Sequence, residues 1–245
     1  MTRINARGLH YQLLNQRIHE ALQAGEKEIV LEQVNGQRYI GDALKGSGIR
    51  IHIQGTPGND LAVFMDGPTI TVHANVQDGI GNTMNGGKII VHGDAGDIVG
   101  YAMRGGKIYI QGNAGYRVGI HMKAFDHLFP VIIIGGRAGN FLGEYMAGGM
   151  IILLGLDGRG QSPVGTYVGT GMHAGKIYAR GYVRNFQLGK EIMVFDADSN
   201  DLQEMEPFLA EYCKDFNRSL KDIFKQPFVK LSPHSHRPYG KLYAY

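Results

Sequence analysis

Gly81-Asn82-Thr83-Met84-Asn85-Gly86-Gly87-Lys88-Ile89-Ile90-Val91-His92-Gly93-Asp94-Ala95-Gly96 recurs 19 residues later. The second copy is Gly100-Tyr101-Ala102-Met103-Arg104-Gly105-Gly106-Lys107-Ile108-Tyr109-Ile110-Gln111-Gly112-Asn113-Ala114-Gly115. Every glycine, the Met, the Lys and the first Ile coincide. A fixed period of this length is the mark of a repeat architecture. Working outward, an apolar residue followed by Gly or Ala opens each unit: Ile40-Gly41, Leu61-Ala62, Ile80-Gly81, Val99-Gly100, Val118-Gly119, Leu142-Gly143 and Val168-Gly169. Three residues beyond each Gly or Ala stands a long flexible side chain: Leu44, Met65, Met84, Met103, Met122, Met146 or Met172. Two long spacings place insertions around Lys123 to Pro130 and around Leu156 to Pro163.

After each glycine pair the chain alternates as a strand does. Ile89 and Val91 point one way, Ile90 and His92 the other. A 19-residue unit of short strand and glycine corners is too short for a strand–helix–strand crossover. It suits one coil of a parallel β-solenoid, in which equivalent side chains stack in columns about 4.8 Å apart. The methionines then fill the interior, where an unbranched thioether adapts to irregular gaps. Gly86-Gly87, Gly105-Gly106 and Gly148-Gly149 serve corners that need positive φ or close backbone approach. The expected fold is an all-β solenoid, a right-handed parallel β-helix of about seven coils, since parallel crossovers are overwhelmingly right-handed.

A stack of coils has open ends that must be covered. Tyr11, Leu14, Ile18, Ala21 and Leu22 follow helical spacing up to Gly25, and Ile29-Val30-Leu31 reads as a strand entering the first coil. Leu202, Met205, Phe208, Leu209, Tyr212 and Phe216 line one face of a second helix, with Asp198 or Ser199 as its N-cap. The organisation is therefore an N-terminal helix and strand cap (1–34), a β-helix (35–185), and a C-terminal helical cap and tail (186–245). The aromatic, basic ending from Phe228 to Tyr245 is expected to fold back on the solenoid or to reach a partner.

Composition bounds the function. Of 245 residues 37 are Gly, yet without a collagen period, and 43% hydrophobic against 19% charged is ordinary for a folded chain. The net charge of +3 is spread out, with no basic stripe for nucleic acid. No apolar run approaches a membrane span, and the first residues lack the apolar core of a signal peptide. The lone Cys213 forms no internal disulfide and fits a cytoplasmic protein. One thiol cannot hold an iron–sulfur cluster, and Thr2 after Met1 is incompatible with an N-terminal Cys nucleophile.

The residues that draw attention for chemistry are histidines. His52, His73 and His92 each lie three residues after an Ile (Ile49, Ile70, Ile89), which places them in one outer column as candidate metal ligands. A regular ladder holds side chains parallel, whereas tetrahedral ligands converge, so a polar ladder continued by Gln111 is the favoured reading. His121, Lys123, Asp126 and His127 have the composition of a surface loop, and His234 with His236 sits in a proline-bracketed tail. Cys213 lies near the apolar face of its helix, as a buried, inert thiol would. No catalytic or cofactor-binding residue emerges.

The repeats resemble the GXGXG domain found at the C-terminal end of the glutamate synthase large subunit and in a structural component of formylmethanofuran dehydrogenase. The residues that carry the likeness are Gly81, Met84, Gly86, Gly87, Gly93 and Gly96, with Gly100, Met103, Gly105, Gly106, Gly112 and Gly115 in the next copy. Gly143, Met146, Gly148 and Gly149 follow, and then Gly169, Met172 and Gly175. The segments around Gly143 and Gly135-Gly136-Arg137-Ala138-Gly139 look most like glutamate synthase. The resemblance implies a right-handed β-helix without catalytic residues of its own, a structural subunit of a split glutamate synthase. Its partners would be a glutaminase-type amidotransferase subunit and an FMN-containing synthase subunit, with FMN and iron–sulfur in those partners and no cofactor in this chain. The alternatives are a structural subunit of a formylmethanofuran dehydrogenase-like complex, and a metal-dependent β-helix enzyme using the His column. An outward stripe including Ile90 and Tyr109 is also suited to homo-oligomer formation.

Overall fold

Each pair of glycine-flanked corners is joined by a four-residue strand of the pattern Lys-Ile-apolar-apolar, too short to be stable alone but repeated in register. In the computed structural model, which describes residues 1–156 and 160–235, these strands stack side by side. The elements are β1 (Thr2–Asn5), α1 (Tyr11–Gln23), β2 (Glu28–Asn35), β3 (Arg50–Thr56), β4 (Thr69–Val72), β5 (Lys88–Val91) and β6 (Lys107–Ile110). There follow β7 (Val131–Ile134), β8 (Ala147–Leu153), β9 (Ala174–Arg180), a 3-10 turn (Asn185–Gln187), β10 (Ile192–Asp196), α2 (Ser199–Asp215), α3 (Leu220–Ile223) and β11 (Phe228–Pro233). Strands β1 to β9 are parallel and lie in chain order, and the sheet ends with β11 and then β10, both antiparallel.

The 19-residue register is direct: Ile70 pairs with Ile89, Ile89 with Ile108, and Ile90 with Tyr109. The molecule is a β-solenoid of about six turns, one fewer than the sequence units suggest. The reason is that seven aligned openings bracket six intervals. Both insertions fall where the spacing puts them: Lys107 pairs with Val131, and Leu153 with Ala179.

The interior is dry and aliphatic. Met65, Met84, Met103, Met122, Met146 and Met172 are fully buried, as are the inward Ile and Val of every strand. Each such side chain contributes about 1.5–3 kcal/mol of transfer free energy. The corners rely on glycine where the column demands it. Gly106 has φ +82°, and a Cβ there would sit 2.8 Å from the Gly87 carbonyl oxygen. Gly100, at φ +68°, faces the end of Ile132 so closely that a Cβ would lie 2.5 Å from its Cδ1.

Helix α1 buries Leu14 and Ile18 in the main core with Ile4, Ile29 and Leu31, and so closes the N-terminal end as expected. Asp198 is the N-cap of α2: its side chain accepts from the Asn200 and Asp201 amides, both at 2.9 Å. The position of α2 corrects the sequence reading. It covers a flank of the sheet, while the antiparallel pair β11–β10 ends the stack. Met205, Leu209, Tyr212, Cys213 and Phe216 pack on Ile90, Tyr109, Ile133, Ile152 and Tyr178. The Ile90/Tyr109 stripe expected to mediate self-association is therefore buried under α2. Helical spacing identifies the apolar face of α2 but carries no information on which part of the solenoid it covers.

Candidate functional site

Three sets of side chains could carry function: the seam under α2, the histidine ladder and an aromatic corner. At the seam, residues one turn or two apart on α2 meet equivalent residues one coil apart on the sheet. Lys88 Nζ lies 2.7 Å from Glu211 and 2.5 Å from Asp215, and Lys107 Nζ 2.7 Å from Glu211. The Tyr109 hydroxyl donates to Glu211 at 3.0 Å. Farther along, Tyr178 donates to Asp201 at 2.8 Å, Lys230 donates to Asp201 at 2.7 Å, and Lys176 donates to Glu204 at 2.5 Å. Burial alone would raise the Glu211 carboxyl. Hydrogen bonds and charge from Lys107 and Lys88 outweigh it and hold the group below the ordinary range. Asp201 is likewise held low by Lys230, Tyr178 and the Asp198 amide, against its burial. Burial, with the adjoining carboxylates, pushes the Tyr109 and Tyr178 phenols far up, so both stay protonated donors. These acids and phenols bond one another and hold the helix. A groove of about 540 Å³ beside them is floored by Gly148, Gly149 and Gly175, and its Lys176 and Lys230 are both ion-paired.

Because Asp201 and Glu211 have folded pKa values below their unfolded ones, each stabilises the fold above about pH 4, and that stability is lost as pH falls through the folded value. His73 acts in the same direction. Burial first, then His92 and His52, lower its pKa from 6.5, so the unfolded chain takes up a proton before the folded one does. Thermal melting should thus show a Tm that declines slightly below about pH 6.5 and steeply below about pH 4. A Tm that holds or rises down to pH 3 would contradict the seam.

The histidine column exists but is not aligned as the spacing predicts. Ile51, not Ile49, pairs with Ile70, so His52 lies opposite Thr71. Two extra residues are absorbed in the corner 46–49, which contains Gly46 and Gly48. The rings nonetheless stack: His52 on His73 at 6.1 Å and 13°, His73 on His92 at 5.1 Å and 11°. Phe216 closes the stack edge-on to His92 at 5.2 Å. Parallel rings one above another do not aim their nitrogens at a common point, and among the described residues no group of three or more His, Cys, Asp or Glu is arranged to hold a metal ion. His127 Nδ1 lies 2.7 Å from Asp126 in the first insertion, with 82% of its side chain exposed. His234 bonds the Glu191 carbonyl, and His236 lies outside the described residues. Cys213 is buried, which raises its pKa and keeps the thiol protonated.

The aromatic corner has no counterpart in the sequence reading. In each coil three residues spaced two apart adopt left-handed φ, such as Ile98, Gly100 and Ala102, or Phe141, Gly143 and Tyr145. The outer two positions hold large side chains in successive coils. Arg117 lies 4.8 Å over Phe141, and Phe141 stacks on Tyr167 at 4.9 Å. His121 stacks on Tyr145 at 5.3 Å and meets the edge of Tyr101 at 5.9 Å. Arg117 also donates to Glu144 at 3.0 Å. Left-handed φ costs a bulky L-residue roughly 1–2 kcal/mol, and Tyr101, Tyr145 and Tyr167 remain exposed. Burial within this chain therefore does not offset that strain. Two Asx ladders are a further feature that the repeat alone does not announce. Asp97 accepts from the Tyr116 amide and Asp78 from the Asp97 amide, each at 2.8 Å, and Asn75 and Asp94 act alike on the amides of Asp94 and Asn113. Their signal is the period itself, since Asp78 and Asp97, like Asn75 and Asp94, are 19 apart.

The family model of the GXGXG motif matches residues 27–234. The chain belongs to the GXGXG family. This member is 45% identical over 249 residues to MJ1350, an uncharacterized protein of Methanocaldococcus jannaschii, with 98% of this chain and 95% of that protein covered. Among solved structures, the GXGXG fold described here is similar to a chain of the formyltransferase/hydrolase complex FhcABCD from Methylorubrum extorquens, determined in complex with methylofuran. The TM-score is 0.61 at 24% identity, covering 82% of this chain and 72% of that one. At that identity the likeness is one of fold. No helix among the described residues of this GXGXG protein is long and apolar enough to cross a membrane.

Proposed function

We propose that this GXGXG protein is a non-catalytic structural subunit of a multi-subunit complex, bracing an amidotransferase subunit against an FMN-containing synthase subunit as in a split glutamate synthase. One observation carries the reading: the strained, exposed aromatic corner of Arg117, His121, Phe141, Tyr145 and Tyr167. Tyr and Arg dominate the energetics of protein interfaces. A partner that covers these side chains supplies the burial that offsets their left-handed backbones. The rest of the molecule is consistent with a brace, because acids, phenols and thiol are engaged in holding α2 to the sheet. Coils laddered by main-chain bonds transmit position between partners without flexing. In this reading the FMN and iron–sulfur centres belong to the partners, and the setting is cytoplasmic nitrogen metabolism.

A second reading has its own observation. The solved structure with the same fold belongs to a formyltransferase/hydrolase complex, which favours a structural role in formyl-group chemistry on a furan-bearing carrier. Both readings share the brace. The experiment is co-purification of the tagged chain, with the triple variant Phe141→Ala, Tyr145→Ala, Tyr167→Ala alongside. Glutaminase-type and flavin-containing polypeptides are expected with the wild type and lost with the variant. Formyltransferase-type partners would select the second reading, and equal capture by both forms would remove the corner from the interface.

A further inference from the structure

The two ends of the sheet differ in how they are finished. At the first, β1 offers Thr2, Arg3 and Asn5 to solvent, Ile4 is buried, and Arg3 is tied to Glu32. At the last, β10 reads Ile192-Met193-Val194-Phe195-Asp196, and Met193, Val194 and Phe195 are 46%, 37% and 42% exposed. It contains no Pro, Lys or bulge, the usual devices that blunt an edge. The last coil adds further exposed rings, among them Phe186 at 70%. A solenoid terminus is expected to be polar on its outer side, and this one is not.

The hydrogen-bonding direction along β10 follows from its pairing with β11. The Ala197 amide donates to Phe228, and the His234 amide to Glu191. In an antiparallel ladder bonded and non-bonded pairs alternate. Phe195–Lys230 and Met193–Ser232 are therefore the bonded pairs, and Val194 and Asp196 turn their N–H and C=O groups to the open side. Ile192 presents only its carbonyl there, because its amide donates to Gly189. Among the described residues nothing pairs with this edge.

We propose that β10 is a self-recognition edge, on which a second copy of this chain docks by antiparallel two-fold pairing centred on Val194. Such a two-fold lets the two Val194 residues exchange N–H···O bonds, and each Asp196 amide meets the partner's Ile192 carbonyl. The Ile192 amide, already used, is the group this register leaves spare. Met193 falls opposite Phe195 of the second copy in a close, non-bonded pair, an apolar match on one face. The Lys190 end of each strand comes to the Asp196 end of the other, so the charges are complementary. The two sheets then run on as one, end to end. This contact is independent of the aromatic corner, which lies on the side of the coils.

Sedimentation equilibrium of the purified chain tests it. A mass twice the monomer's 26.9 kDa is expected, with slow amide exchange at Val194 and Asp196. Val194→Lys sets like charges against each other at the two-fold and should weaken association by about tenfold or more, while protection of the Leu231 amide reports that β11 still pairs. Met193→Glu, which places a charge opposite Phe195, is the second variant and should act alike. A wild-type chain that stays monomeric, or variants that dimerise as tightly as the wild type, would overturn the proposal. A monomer whose β10 amides become protected only with a different subunit would do so as well.

Discussion

Gly106→Val lowers the stability of the protein by about 2–5 kcal/mol, the sum of a left-handed φ forced on a side chain and of overpacking against neighbouring backbone. The φ of +82°, with the Gly87 carbonyl oxygen 2.8 Å from where a Cβ would stand, leaves no relaxed alternative, since the neighbour is main chain held in the ladder. For a chain of this size the change corresponds to a Tm loss on the order of 10 °C. The matched control runs the other way. Ala102 sits at φ +49° in the same coil, and Ala102→Gly relieves its strain, so it should be neutral or slightly stabilising. Differential scanning calorimetry of the two variants separates the corner's demand for left-handed backbone from a general dislike of substitution.

Asp201→Ala loosens α2 from the sheet at a cost of about 3–5 kcal/mol, the range for breaking a buried, hydrogen-bonded charge pair. Asp201 is 3% exposed and serves several groups at once: it accepts from the Tyr178 hydroxyl and from Lys230, and its carboxylate closes the capping box by accepting from the Asp198 amide. Its removal leaves Lys230 without its carboxylate and Tyr178 with only a 3.3 Å contact to Glu204. Asp201→Asn keeps an acceptor for the phenol and the cap, and should retain part of the loss. Hydrogen exchange along α2 is the appropriate readout: the amides around Leu209 and Tyr212 should lose protection in Asp201→Ala while those of Ile89 and Ile108 keep theirs. Uniform loss across both would show that α2 and the coils unfold as one unit.

The repeat is legible because a solenoid writes its geometry into sequence period. Ile70, Ile89 and Ile108 are 19 apart and lie side by side. Where the period breaks, inference from spacing breaks too. The corner at 46–49 takes up two residues that spacing alone assigns elsewhere, and His52 stands two positions from its expected register as a result. The placement of α2 is not readable, because an amphipathic helix states which of its faces is apolar and not what meets it; Ile90 and Tyr109 look like an open stripe for the same reason. The aromatic corner is hidden by conformation. Nothing in the identity of Arg117, Phe141 or Tyr145 announces a left-handed backbone, which non-glycine residues adopt only when the neighbouring coils impose it. The Asx ladders, by contrast, carry the same 19-residue period as the strands, on polar side chains that a search for apolar columns passes over.

Glutamine-dependent glutamate formation, measured with the isolated chain, with the amidotransferase and flavin subunits together, and with all three combined, bears most directly on the bracing role. The chain alone should release no ammonia from glutamine, and adding it to the other two should raise coupled glutamate formation while leaving their separate half-reactions unchanged. Turnover of glutamine by the isolated chain, or a coupled rate indifferent to its presence, would contradict that role.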